Sequence, residues 1–166
     1  PQPTSECARR LVTEHTRPHL GRWLPTVDPY HSGYVRKLYG GFVLAYEGRT
    51  GVTVAQGTVH SSVAAAVLIP ETSLATGAAR GLLPDSVPHV DAVANSGRAA
   101  LLVHAMASEP ELLYDATCDW LHQGYREVAM PRSFELMKSL RGQGFAAMIS
   151  GAGPSVLVLG ARSGLV

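Results

Sequence analysis

The chain has 166 residues, 46% hydrophobic and 16% charged, with 17 Gly and 11 Pro, which describes one ordinary globular core and excludes disorder and collagen-like repeats. Fourteen Lys and Arg against thirteen Asp and Glu leave a net charge of +1, and no stretch gathers enough basic residues to track phosphates, so no nucleic-acid partner is expected. No apolar run reaches the roughly 18 residues of a membrane span and residues 1–6 lack the apolar core of a secretory signal, so the reading is a soluble, cytoplasmic chain with no membrane partner.

Residues 1–37 hold Arg9, Arg10, Arg17, Arg22, Arg36 and Lys37 with little periodic apolar pattern. Leu11, Val12, His15 and His19 can share a helical face, but Pro18 and Pro25 break anything long, so this part reads as a short helix and irregular chain. From Gly40 the texture changes. Residues 41–47 form a short apolar run between glycine pairs, 52–55 a second strand, and 63–69 a nearly continuous apolar run closed by Pro70, as a buried strand requires.

Ser73 is placed to cap a short helix through Arg80, stopped by Gly81 and Pro84. Residues 88–106 set Val90, Val93, Ala94, Gly97, Ala100, Leu101 and His104 near helical spacing behind Pro88, which predicts the longest helix. Pro110 opens another, carrying Leu112, Leu113, Ala116, Trp120 and Leu121. Pro131 opens a third with Phe134, Leu136, Met137 and Leu140, stopped by Gly142 and Gly144. Residues 146–149 and 156–159 are two strands joined by a tight connection. The order strands, helices, strands predicts an α+β fold, an antiparallel sheet with helices packed on one face.

The connection Ser150, Gly151, Ala152, Gly153, Pro154, Ser155 combines alternate glycines with a following strand. Glycines there admit positive φ and close approach, and successive N–H groups can form an anion-binding nest; an ordinary hairpin without a ligand is the competing reading. It is no dinucleotide fingerprint, because Pro154 and a strand stand where a helix would begin. Cys7 and Cys118 fit no metal-ligand spacing and read as free thiols, and no metal site is expected. Arg98 is expected in a salt bridge, His89 and Asn95 as capping or packing groups, His104 as a hydrogen-bonded core histidine, and His122 without chemistry.

The string Ile-Ser-Gly-Ala-Gly-Pro-Ser at 149–155 closely resembles the third motif of the GHMP kinase superfamily, named for galactokinase, homoserine, mevalonate and phosphomevalonate kinases. Within it, residues 38–42, 79–84, 87–95, 97–102, 110–113 and 121–126 resemble homoserine kinases of the actinobacterial style, in the family's order. The resemblance implies a ferredoxin-like GHMP kinase C-terminal domain over 38–166, with 1–37 poorly matched. It implies ATP-dependent phosphorylation of L-homoserine to O-phospho-L-homoserine in threonine biosynthesis, with ATP and Mg²⁺ serving the full-length family. It also implies that Thr76, Arg80 and Arg126 bind the substrate, the two arginines holding its carboxylate. Arginine's planar fork suits that task, Thr76 and Arg80 lie four apart on a helix, and Arg126 is expected just after a helix end.

The family's phosphate loop, Pro-x-x-x-Gly-Leu-Gly-Ser-Ser, has no counterpart in residues 1–40, and the acidic metal ligand that follows it is missing too. Residues 28–33 keep a His and an acid of a further family motif but not its order. The expectation is therefore a homoserine kinase fragment, opening without Met, that binds no nucleotide tightly and is inactive alone, its catalytic residues unknown. The alternative is a non-catalytic amino-acid-binding or dimerisation module derived from a GHMP kinase. A homodimer is compatible with either.

Overall fold

A computed structural model of the chain describes residues 41–48, 51–72 and 74–162. Residues 41–59 and 60–162 fall in separate compact units. In the smaller, β1 (Phe42–Gly48) and β2 (Gly51–Gly57) pair antiparallel with Phe42 opposite Gly57. The Phe42 ring lies over Gly57 and occupies the space a Cβ there would need, an aromatic covering a cross-strand glycine. Arg49 and Thr50, expected in the turn, lie outside the described residues.

The larger unit runs β3 (Val63–Leu68), α1 (Thr76–Arg80), α2 (His89–Ala107), a 3₁₀ turn (Pro110–Leu112) leading into α3 (Leu113–Ala116), a second 3₁₀ segment (Gly124–Ala129), α4 (Pro131–Gly142), β4 (Ala146–Ile149) and β5 (Val156–Ala161). The expected strands are all present. Its sheet has the order β3-β5-β4, antiparallel throughout, with Leu68 and Ile149 both opposite Val156, and Ala66 and Ala147 both opposite Val158. Because side chains alternate along a strand, these six share one face. Phe134 and Met137 of α4, together with Met130, pack onto it, and Leu74, Leu140 and Phe145 close its rim. This is the α+β arrangement the element order predicts.

α4 begins at Pro131, whose fixed φ and missing N–H suit a first helical position. It ends in a Schellman turn: Gly144, at φ 89°, donates to Arg141 O at 2.9 Å, and Phe145 N donates to Leu140 O at 3.1 Å. α2 follows Pro88 as expected, but Val90 and Val93 remain exposed.

Two helix boundaries differ from expectation. α1 starts at Thr76 with Ala75 at its N-cap and no side-chain cap, and Ser73 lies outside the described residues. The helix opened by Pro110 stops at Ala116 and never reaches Trp120 or Leu121. Asp119 is the reason: its carboxylate takes the N–H groups of Leu121 (3.0 Å), His122 (3.1 Å) and Gln123 (2.7 Å). A side-chain acceptor there competes with the helix for the same donors and turns the chain.

Candidate functional site

The segment after Asp119 builds the site. Gln123 O accepts from Arg126 N at 2.9 Å and starts the second 3₁₀ segment. Arg126 therefore lies inside a 3₁₀ helix rather than beyond a helix end. Its side chain is buried, an uncommon condition for arginine that demands hydrogen-bonded nitrogens. Nε donates to Ala79 O at 3.2 Å and Nη1 to Gly151 O at 2.9 Å. One guanidinium thus joins α1 to the glycine turn.

These bonds tie Arg126 to the backbone of α1 and of the glycine turn, not to the side chains of Thr76 or Arg80. Thr76 and Arg80 are the first and last residues of α1, both exposed, and Ala79 beside Arg80 is fully buried. The turn 150–155 is closed by Ser150 N donating to Ser155 O at 2.8 Å and Gly153 N to Ser150 O at 3.0 Å. Gly151 and Gly153 sit at φ 62° and 88°, and the Gly153–Pro154 peptide is cis. Positive φ is what glycine supplies there. Gly153 also lacks room: a Cβ would stand 2.5 Å from the Met130 sulfur and 3.1 Å from Ile149 Cγ2. Ala152, Pro154 and Ser155 are half-buried along the same turn.

No buried side-chain nitrogen or oxygen among the described residues lacks a partner. Among the described residues Arg126 Nη2 has no acceptor, while Nε and Nη1 are spent on carbonyls. A guanidinium fixed in this way presents its remaining N–H groups in a set direction, the geometry a carboxylate requires.

Two residues not marked from sequence hold this cluster. Gln123 Oε1 accepts from Ile149 N at 2.7 Å, at the last residue before the glycine turn. Asp119 caps the bend that carries Gln123 and pairs with His122 Nδ1 at 3.0 Å. Burial pushes the Asp119 carboxyl up, but the His122 side chain and the N–H groups of Gln123 and Leu121 outweigh it and hold the pKa below its ordinary value of 3.8. An Asp ahead of a Gly-containing bend is a recognisable turn signal; Gln123 has none, since its partner lies 26 residues away.

Among the remaining polar residues three depart from expectation: Arg98, His104 and His89. Arg98 forms no ion pair among the described residues; it donates to Asp115 O and stacks on Trp120, 4.1 Å from the ring centroid. His104 is hydrogen-bonded, to Glu109 at 2.8 Å, but is half exposed rather than in the core. Asn95 Oδ1 accepts from Trp120 N at 3.0 Å, holding the 118–123 bend to α2. His89, the first residue of α2, is exposed and makes no capping bond. Cys118 is a free thiol, and Cys7 lies outside the described residues. A depression of about 570 Å³ walled by His60, Glu111, Tyr114, Phe145 and Leu159 contains none of the sequence-predicted site residues. Leu159 pairs with Ala146, on the sheet face opposite α4, so this depression is separate from the Arg126 cluster.

Residues 92–164 match the family model described as GHMP kinases C terminal. Residues 92–164 thus carry the C-terminal domain of the GHMP kinases. It is 48% identical over 127 residues to homoserine kinase of Clavibacter michiganensis, covering 76% of this chain and 40% of that protein. It is 51% identical over 122 residues to homoserine kinase of Streptomyces coelicolor, covering 74% and 40%. Among solved structures, homoserine kinase from Cytophaga hutchinsonii superposes with a TM-score of 0.72 at 27% identity, over 79% of this chain and 42% of that one. The chain therefore spans about 40% of the length of the curated relatives it matches. The family match takes in most of α2, and α4, β4, the glycine turn and β5, while β3 lies outside it. Among the described residues no helix is long and apolar enough to cross a membrane.

Proposed function

We propose that this chain supplies the amino-acid side of a homoserine kinase, which transfers the γ-phosphoryl group of ATP to the hydroxyl of L-homoserine and yields ADP and O-phospho-L-homoserine. The observation that carries the reading is Arg126, whose bonds to Ala79 O and Gly151 O bring the Thr76–Arg80 helix and the glycine turn together. Arg80 and the Nη2 of Arg126 hold the substrate carboxylate. Fixing that charged end restricts the hydroxyl at the other end of a short chain, and positioning is most of what phosphoryl transfer asks of a protein.

The 166 residues carry no phosphate loop of the family's form, the part that would cradle the triphosphate. The 166-residue chain by itself therefore binds homoserine without turning it over.

Calorimetric titration tests both halves of this reading. L-Homoserine binds, and 3-aminopropan-1-ol, the same molecule without its carboxylate, binds on the order of 100-fold more weakly because a charge-assisted fork loses its partner. The chain releases no ADP from ATP, Mg²⁺ and homoserine. Equal binding of the two ligands contradicts the clamp, and homoserine-dependent ADP release contradicts the inactive chain.

A further inference from the structure

We propose that Gln123 is a positioning residue for the carboxylate pocket, acting through the hydrogen bond its Oε1 accepts from Ile149 N; this rests on the homoserine-site reading of Arg126. Three parts of the chain distant in sequence must be held in register for that pocket to exist: α1 at Ala79, the 3₁₀ segment at Arg126, and the glycine turn at Gly151. Arg126 supplies the links to Ala79 O and Gly151 O. A long arginine side chain tolerates a range of backbone separations, so those links alone leave the turn free to shift. Gln123 removes that freedom. It sits at the start of the 3₁₀ segment, its own carbonyl accepting from Arg126 N at 2.9 Å, while its side chain reaches across to Ile149 N at 2.7 Å.

Ile149 is buried and is the last residue of β4, two positions before Gly151. The backbone bearing Arg126 and the backbone bearing its acceptor are thus tied at a second point close to the first. Two short ties fix an orientation where one fixes only a distance. Asp119 keeps Gln123 in place by accepting from Gln123 N at 2.7 Å, and Met130 packing under Gly153 closes the other end of the segment. Gln123 touches no substrate in this scheme; it sets where Arg126 Nη2 stands relative to Arg80.

The test uses the 166-residue chain with two variants. Gln123→Met keeps the length of the side chain and removes the acceptor, leaving a buried N–H unmet; Gln123→Glu keeps an acceptor. The expected result is that Gln123→Met speeds amide exchange at Ile149 and Ser150 and weakens homoserine about tenfold, while Gln123→Glu stays within about threefold of the parent chain on both readouts. Parent-like exchange and affinity in Gln123→Met overturn the proposal, as does equal loss in both variants, because Gln123→Glu keeps the acceptor to which the proposal assigns the effect. If Gln123→Met fails to fold, Gln123→Glu decides alone: slow Ile149 exchange supports the tie and fast exchange overturns it. If the parent chain does not bind homoserine, the functional reading fails while the exchange arm still reports whether Gln123 fixes the turn.

Discussion

Arg126 donates to Gly151 across 25 residues of sequence at 2.9 Å, and in doing so seals the glycine turn onto the 3₁₀ segment. The guanidinium is buried and held by backbone carbonyls, with no carboxylate among its partners in the described residues. A lysine places one point charge where the fork makes two directed bonds. Arg126→Lys is expected to lower stability by about 1–3 kcal/mol in urea denaturation and to weaken homoserine, so the two losses appear together. Unchanged stability means the fork is not what joins α1 to the turn.

Gly153 gives a prediction about space and backbone at once. An alanine there meets both a positive φ and the Met130 side chain, so Gly153→Ala costs about 2–4 kcal/mol by denaturation. Gly97 is the internal control: it lies within α2 with nothing within 4 Å of an added Cβ. Gly97→Ala is expected to stabilise by about 0.5–1 kcal/mol. A similar sign for both substitutions is the outcome that refutes this contrast.

The core on the α4 face rests on one large ring. Phe134 is buried among Met130, Met137, Ala147, Ile149, Val156 and Val158, and Phe134→Ala is expected to cost about 3–5 kcal/mol, read as a lowered urea midpoint. A loss under about 1 kcal/mol contradicts the packing described.

Asp119 sets a pH dependence of known sign. Its folded-state pKa is lowered, so its stabilising contribution is complete at pH values above the unfolded value near 3.8 and is lost as the pH falls through the folded value. The stability gap between the parent chain and Asp119→Asn therefore shrinks as the pH falls below about 4. Denaturation midpoints at a series of pH values read it directly; a gap that widens on acidification contradicts the assignment.

The strands were legible because glycine and proline punctuate them: Pro70 follows the β3 run, and Gly151 and Gly153 separate β4 from β5. Proline also marked the starts of α2 and α4. Periodicity failed at Trp120 and Leu121, where apolar spacing continued but Asp119 withdrew the backbone donors a helix needs. It also overstated the burial of α2, whose Val90 and Val93 are exposed. Arg80 and Arg126 were singled out by motif, and the structure links the Arg126 side chain to the backbone of α1 at Ala79 O, next to Arg80. Gln123 was invisible because an acceptor for Ile149 N is specified by tertiary contact, which neither composition nor spacing encodes.

The most direct test of the central claim is titration of L-homoserine into the 166-residue chain and its Arg80→Ala variant. Urea denaturation of Arg80→Ala beside the titration separates a loss of fold from a loss of ligand contact. The account predicts that Arg80→Ala binds homoserine at least about tenfold more weakly than the parent. Equal affinity in a folded Arg80→Ala chain would contradict it.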